Sequence, residues 1–371
     1  MNQSQHYKIL FLPFMQIASG HHQVADALMD DIQRHHEAIR CDKVDLLSYS
    51  YGDMEKVVSS LYLAWIKYFP SSYNWLYDRS LYKNLSKRNR SMFYGSLFIH
   101  FFKKLIQEIN PDILICTHCL PSNVASRLKR NRQLDQIVIN VYTDYFVNRV
   151  WGLSGIDYHF APTILVKNHL LENGIPESRI ITTGIPVHPV FRTKSVHGRS
   201  RKNISILLTG GNLGVGGMEN ILANTTGDVH YYVLCGKNTT LYNQFLHHPQ
   251  PNVTPFPYIE SREQMNQLYD QVDAVLTKPG GVTISECLMK RKPIFVYNPL
   301  PGQEMINVDQ LLRLGLIMPV QIEAGFEQQI IRYFRNPNRK KNYEQCVENY
   351  HHNLEQKPIS LMIDELLKSS L

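Results

Sequence analysis

Ala274-Val-Leu-Thr-Lys-Pro-Gly-Gly-Val-Thr-Ile-Ser-Glu286 reads as a strand, a turn and a helix in immediate succession. The first four residues form an apolar run of buried-strand character, and Lys278-Pro-Gly-Gly281 breaks it. Thr283 and Ser285 then open a helix that carries Ile284, Leu288 and Met289 on one face. Outward from this stretch the same alternation recurs. Strands fit residues 204–209 (ISILLT), 231–235 (YYVLC), 253–256 and 294–297 (IFVY), and a helical segment bears Gln264, Leu268 and Tyr269. Strands alternating with helices imply a parallel sheet covered on both faces.

The first half repeats the logic less regularly. Residues 8–14 (KILFLPF) are an apolar run that ends at a Gly-containing turn, 15–20, and a helical pattern follows with Val24, Ala25, Leu28 and Ile32 on one face. Further strands fit 112–117 (DILICT), 137–142 (IVINVY), 158–161 and 180–183, with a long helical, aromatic stretch at 55–108. Residues 191–203 (FRTKSVHGRSRKN) are polar, basic and aperiodic, as an interdomain linker is. The predicted architecture is α/β: two Rossmann-like doubly wound domains with an interdomain cleft, residues 1–195 and 196–350, and a closing helix, 351–371, that returns to the first domain. In such sheets ligands bind outside the carboxyl ends of the strands.

Composition agrees with two globular domains: 371 residues, 43% hydrophobic and 19% charged. The net charge of +7 sits mostly in the first half, with 22 Lys/Arg against 16 Asp/Glu in residues 1–195 and 17 against 16 thereafter. The six cysteines are scattered, mostly within apolar runs, which suits a reducing compartment and not a disulfide scaffold. The polar start MNQSQHYK has no apolar core of a signal peptide, and no run approaches the ~18 apolar residues that span a bilayer. A soluble or peripherally bound protein of the cytoplasmic side is expected.

The turn at 278–281 places glycines and backbone N–H groups at a helix start, where the macrodipole favours a phosphate. Gly280 and Gly281 allow an anion to approach the backbone, Lys278 adds charge, and Glu286, one turn on, suits ribose hydroxyls. A second loop, Pro299-Leu-Pro-Gly-Gln-Glu304, follows the next strand, and Gln303 and Glu304 there suit sugar hydroxyls. Either loop alone reads equally as a tight βα connection; both at adjacent strand ends indicate a site. Residues 210–217 (GGNLGVGG), with Gly210 and Gly211, match neither the dinucleotide nor the P-loop fingerprint and suit a loop near a pyrophosphate or a flexible connector.

Gly20-His21-His22 starts the first helix. The helix dipole disfavours a charged histidine there, which keeps a neutral base available, although a surface polar pair would look the same. Asp144, in Tyr142-Thr-Asp-Tyr145, suits orienting His21 or acting as a base, and equally a turn residue. Residues 61–104 hold 13 aromatics and 8 Lys/Arg against one acid, Asp78. Trp65, Trp75, Lys87, Arg88 and Arg90 there suit an anionic membrane surface, while core packing accounts for part of the aromatics. No nucleic-acid-binding motif accompanies them, so nucleic acid is not an expected partner. Cys116-Thr-His-Cys119 has redox spacing but no second pair for zinc, and reads as buried loop cysteines. No D-x-D occurs, which removes the usual carboxylate pair for a metal–diphosphate complex, so no metal is expected.

Seven ordered motifs carry a resemblance over nearly the whole chain: Gly20-His21…Val24-Ala25, Asn110-Pro-Asp112, Thr143-Asp144…Trp151, Thr183-Gly-Ile-Pro186, Cys235-Gly-Lys-Asn238, Thr277-Lys-Pro-Gly-Gly281…Glu286 and Pro301-Gly-Gln-Glu304…Asn307. The chain resembles the diacylglycerol glucosyltransferases of Gram-positive bacteria and the plant monogalactosyldiacylglycerol synthases of glycosyltransferase family 28. More distantly it is similar to the peptidoglycan N-acetylglucosaminyltransferase. The resemblance implies a GT-B fold and inverting, metal-independent transfer from a UDP-sugar, UDP-glucose foremost, to a membrane lipid such as diacylglycerol. The UDP-sugar is then a substrate and no cofactor is expected. Residues 1–195 become the acceptor and membrane side and 196–350 the donor side, on the inner face of the cell membrane. By motif, His21 matches the catalytic base, Glu286 the ribose-binding acid, and Gln303 and Glu304 the sugar-contacting pair. Asn148 stands where many members carry a histidine, and residues 17–20 carry fewer glycines than relatives do. Rival readings are a polyprenyl lipid or another acceptor, a non-catalytic UDP-sugar-binding protein, and an epimerase of related fold.

Overall fold

The computed structural model describes residues 7–14, 20–51, 92–192, 203–210, 217–223 and 225–369. The chain divides into two compact units, residues 1–188 with 353–371, and residues 189–352.

The first unit is a six-stranded sheet in the order β2-β1-β3-β4-β5-β6. Its strands are β1 (Tyr7–Leu12), β2 (Ile39–Lys43), β3 (Ile113–Cys116), β4 (Ile137–Val141), β5 (Tyr158–Ala161) and β6 (Ile180–Thr182). Every pairing is parallel. Both faces of such a sheet are covered, and the central strands accordingly lack polar alternation: Ile9 to Leu12 and Ile113 to Cys116 are fully buried. The helices α1 (Gly20–His35), α2 (Leu46–Tyr51), α3 (Met92–Ile109), α4 (Cys119–Arg130) and α5 (Ile164–Glu172) connect the strands.

The second unit repeats the design in the order β12-β11-β10-β7-β8-β9, again all parallel. Its strands are β7 (Ile204–Thr209), β8 (Val229–Leu234), β9 (Val253–Phe256), β10 (Ala274–Thr277), β11 (Ile294–Val296) and β12 (Met318–Pro319). The helices are α6 (Met218–Leu222), α7 (Thr239–His247), α8 (Arg262–Gln271), α9 (Gly281–Met289), α10 (Gln303–Arg313), α11 (Phe326–Phe334) and α12 (Pro337–His352). The chain ends in α13 (Ile359–Ser369), which packs on α1 and buries Ile363 and Leu367.

One device recurs in both sheets. An aspartate directly precedes β3, β5 and β10, and its carboxylate accepts the N–H of the second residue of the neighbouring strand. Asp112 bonds Lys8 at 2.8 Å, Asp157 bonds Val138 at 2.8 Å, and Asp273 bonds Ser205 at 2.8 Å. Each bond ties a strand entry to its partner and so sets the parallel register. Helix starts are capped by the expected residue types: Thr163, Asn238 and Ser261 accept first-turn N–H groups of α5, α7 and α8.

Two strands depart from the sequence reading. β2 and β12 do not appear among the strands expected from sequence; both lie at sheet edges, where one side needs no partner. β2 carries Arg40 and Asp42, and β12 is two residues long and contains Pro319. Of the helical stretch expected at 55–108, α3 covers the described part. No described helix is long and apolar enough to cross a membrane.

Candidate active site

In the second unit β7 lies beside β10, and later strands run outward from that pair in both directions. A parallel sheet with such a reversal leaves a crevice at the carboxyl ends of the two strands. Thr209 pairs with Thr277, and Thr277 with Val296. The loops that begin at Gly210, Lys278 and Tyr297 therefore leave the sheet side by side. Gly211 lies outside the described residues.

Half-buried Lys278 and then buried Pro279 lead to Gly280, the N-cap of α9, which has no side chain to cap the helix. The N–H groups of Gly281, Val282 and Thr283 belong to the first turn and have no intrahelical acceptor. A Cβ placed on Gly280 would meet nothing within 4 Å, and its φ of −76° suits any residue. The fold itself does not demand glycine there. The open space in front of an uncapped helix start is what an anionic ligand needs.

Glu286 sits one turn further and is buried. The Tyr269 hydroxyl donates to its Oε2 at 2.8 Å, and the Arg262 guanidinium lies 3.9 Å from Oε1. Burial pushes the carboxyl up to about 7, against the pull of Tyr269 and Arg262. Tyr269 reads from the sequence as a helix-face core residue. Its ring is buried edge-on to Phe191, at 5.7 Å, and only the fold shows its hydroxyl meeting the acid.

The loop after β11 turns through Gly302, at φ 87° and ψ −118°, a conformation only glycine adopts comfortably. Gln303 and Glu304 form the first turn of α10, and Glu304 accepts the Leu300 N–H at 2.6 Å, which folds the loop back on itself. Buried Asn307 donates to the Pro279 carbonyl at 3.1 Å. This side chain thus joins the helix after β11 to the loop after β10.

In the first unit His21 starts α1. Its Nδ1 lies 2.8 Å from the Thr117 carbonyl oxygen and 2.9 Å from Thr143 Oγ1. A carbonyl only accepts, so Nδ1 carries the proton and Nε2 is the basic nitrogen. Burial lowers the imidazole below its ordinary range, while the charge of Asp144 and the Thr117 hydrogen bond oppose that shift. Asp144 therefore acts on His21 through its charge, and Thr117 and Thr143 fix the ring. These two partners stand 96 and 122 residues away in sequence, at the ends of β3 and β4, and no local pattern announces them.

Asn148, at the usual histidine position, accepts the Val150 N–H at 2.9 Å and so shapes the turn after Asp144. Cys116 is buried at the end of β3, and burial pushes the Cys119 thiol up to about 12, far from a reactive thiolate. Trp65, Trp75, Lys87, Arg88 and Arg90 lie outside the described residues. Among the described residues no cluster of three metal-ligating side chains occurs.

Two such parallel-sheet units are the two halves of the GT-B fold. Comparison with known proteins makes this specific. Residues 21–187 match the family model described as monogalactosyldiacylglycerol (MGDG) synthase. An uncharacterized glycosyltransferase of Bacillus subtilis (strain 168), YkoN, is 40% identical over 349 residues, 92% of each chain. The processive diacylglycerol beta-glucosyltransferase of Bacillus cereus (strain AH187) is 27% identical over 329 residues, 82% of this chain and 80% of that one. Among solved structures MurG of Acinetobacter baumannii shares the fold, with a TM-score of 0.59 over 98% of this chain and 99% of its own at 14% identity. The chain belongs to the diacylglycerol glucosyltransferase and monogalactosyldiacylglycerol synthase family of glycosyltransferases, family 28.

Proposed function

We propose that this glycosyltransferase moves a hexose from a UDP-sugar, UDP-glucose foremost, to a membrane lipid such as diacylglycerol, with inversion and without a metal. The observation that carries the donor assignment is the pairing of the open, uncapped start of α9 with buried Glu286, joined to Gln303 and Glu304 through Asn307. The names of the relatives support the lipid acceptor.

In this reading the N–H groups of residues 281–283 receive the diphosphate and stabilise the charge that develops on it as it leaves. Lys278 adds a cation, the loop at Gly210 and Gly211 borders the phosphates, Glu286 accepts from ribose hydroxyls, and Gln303 and Glu304 meet the sugar. The acceptor oxygen attacks the anomeric carbon as the bond from that carbon to the phosphate oxygen breaks. His21 Nε2 takes the hydroxyl proton, and the negative charge of Asp144 stabilises the resulting imidazolium. UDP leaves, and the sugar is inverted by the single displacement. The UDP-sugar is a substrate, so the reaction consumes no cofactor. The basic, aromatic segment with Trp65, Trp75, Lys87, Arg88 and Arg90 would hold the protein on an anionic membrane surface at the inner face.

The test is incubation with UDP-glucose and vesicles containing diacylglycerol, with UDP release and lipid products measured together. Equal amounts of UDP and a glucosylated lipid support the reading. Sugar interconversion without a lipid product would assign an epimerase, and binding of UDP without turnover a non-catalytic protein.

A further inference from the structure

His118 stands between Cys116 and Cys119, which have redox spacing but read as buried loop cysteines, and its imidazole packs edge-on against that of His21. It is the N-cap of α4, and its Nδ1 accepts the Leu120 N–H at 3.2 Å. That bond makes Nδ1 the unprotonated nitrogen of a neutral ring. One contact packs the ring flat against Phe14, 4.9 Å between centroids at 17°, and Phe14 in turn meets Phe98 edge-on at 5.8 Å. The other sets it perpendicular to His21, 4.7 Å between centroids at 89°. The result is a row of rings, Phe98, Phe14, His118 and His21, that ends on the proposed base.

We propose that His118 is a positioning residue for His21: its ring, braced by Phe14 and by the α4 cap, covers the imidazole and holds it against Thr117 with Nε2 as the basic nitrogen. This role rests on the reading of His21 as the base. Thr117 precedes His118 directly, so the carbonyl that fixes the tautomer and the ring that packs on it move together. The charged and titratable groups facing His21 are Asp144 from the loop after β4, His22 on its own helix and His118. His22 is itself 3.6 Å from Asp45. Burial is the largest influence on His21, and it drives His118 well below the ordinary histidine range too, so His118 stays neutral and adds no repulsion while the base takes a proton.

Two substitutions separate ring packing from helix capping. His118→Asn keeps an excellent cap and removes the ring, whereas His118→Phe keeps a ring and removes the cap. The expectation for His118→Asn is a melting temperature near that of the parent, kcat reduced about 10-fold with the UDP-sugar KM unchanged, and an acidic limb moved to higher pH. For His118→Phe the expectation is a lowered melting temperature with the pH profile retained. Titration of the His21 imidazole by NMR reads the same effect without turnover: its midpoint rises in His118→Asn and holds in His118→Phe. An unmoved His21 midpoint in His118→Asn, or full kcat in that variant together with loss in His118→Phe, would overturn the role. Unchanged turnover in His21→Ala would instead remove the base assignment, and the NMR titration would still decide whether His118 covers that ring.

Discussion

The Asn307 amide donates to the carbonyl oxygen of Pro279 at 3.1 Å, a bond that ties the helix after β11 to the loop after β10. The two loops bear different parts of the proposed donor, the diphosphate and the sugar. Replacing Asn307 by leucine leaves a buried carbonyl without that partner, at about 1–3 kcal/mol. Asn307→Leu should lower the melting temperature and weaken UDP-sugar binding more than UDP binding, as read by calorimetric titration of both ligands.

Glu286 sets a pH dependence whose sign is worked out from its raised pKa. The native protein holds the carboxyl proton up to about pH 7, whereas an unfolded chain releases it near 4.5. Its protonation therefore favours the native state most below about 4.5, and that stabilisation is lost as pH rises through about 7. Glu286→Gln removes the buried charge. It should be more stable than the parent at pH 8, by on the order of 1–3 kcal/mol, and indistinguishable at pH 4. UDP affinity at pH 8 should fall in the same variant. Chemical denaturation at the two pH values checks the first expectation and UDP titration the second.

His21→Ala should reduce kcat by ~10²-fold or more with little change in UDP affinity. Because burial lowers the imidazole, the acidic limb of the parent profile should lie below 6.5, the ordinary histidine value. A limb above that value, or an unchanged rate in the variant, would remove His21 from the chemistry.

Gly152 follows the Asp144 turn and is gripped from three sides. Ser122 Oγ accepts its N–H at 3.0 Å, Asn140 donates to its carbonyl at 2.8 Å, and an added Cβ would lie 2.3 Å from Ser126 Cβ. Backbone must move to admit any side chain. Gly152→Ala should cost at least ~1–3 kcal/mol, read as a shift in the urea midpoint, and should lower turnover by displacing the loop that presents Asp144.

How much of this was legible in the sequence follows from how local each feature is. Strands 204–209 and 274–277 are apolar runs bounded by turn residues, and their observed limits, like those of 158–161 and 253–256, agree with the reading. The turn between β10 and α9 was equally legible because strand, glycines and helix are contiguous. The contacts that give the residues their chemistry were not. Tyr269 reaches Glu286, Asn307 reaches Pro279, and Thr117 reaches His21 only once the parallel strands align. His118 was hidden for another reason: it lies between two cysteines that read as buried loop residues, and a histidine N-cap has no distinctive neighbours in sequence. Edge strands β2 and β12 escaped because an edge tolerates charge and proline.

The most direct test of the proposed activity is to supply UDP-glucose and diacylglycerol-containing vesicles and follow the lipid fraction by mass spectrometry beside UDP release. The expected result is a monohexosyl diacylglycerol formed in step with UDP and lost in both His21→Ala and Glu286→Ala. UDP release without a new glycolipid, or no turnover with any UDP-hexose in the presence of the lipid, would contradict it.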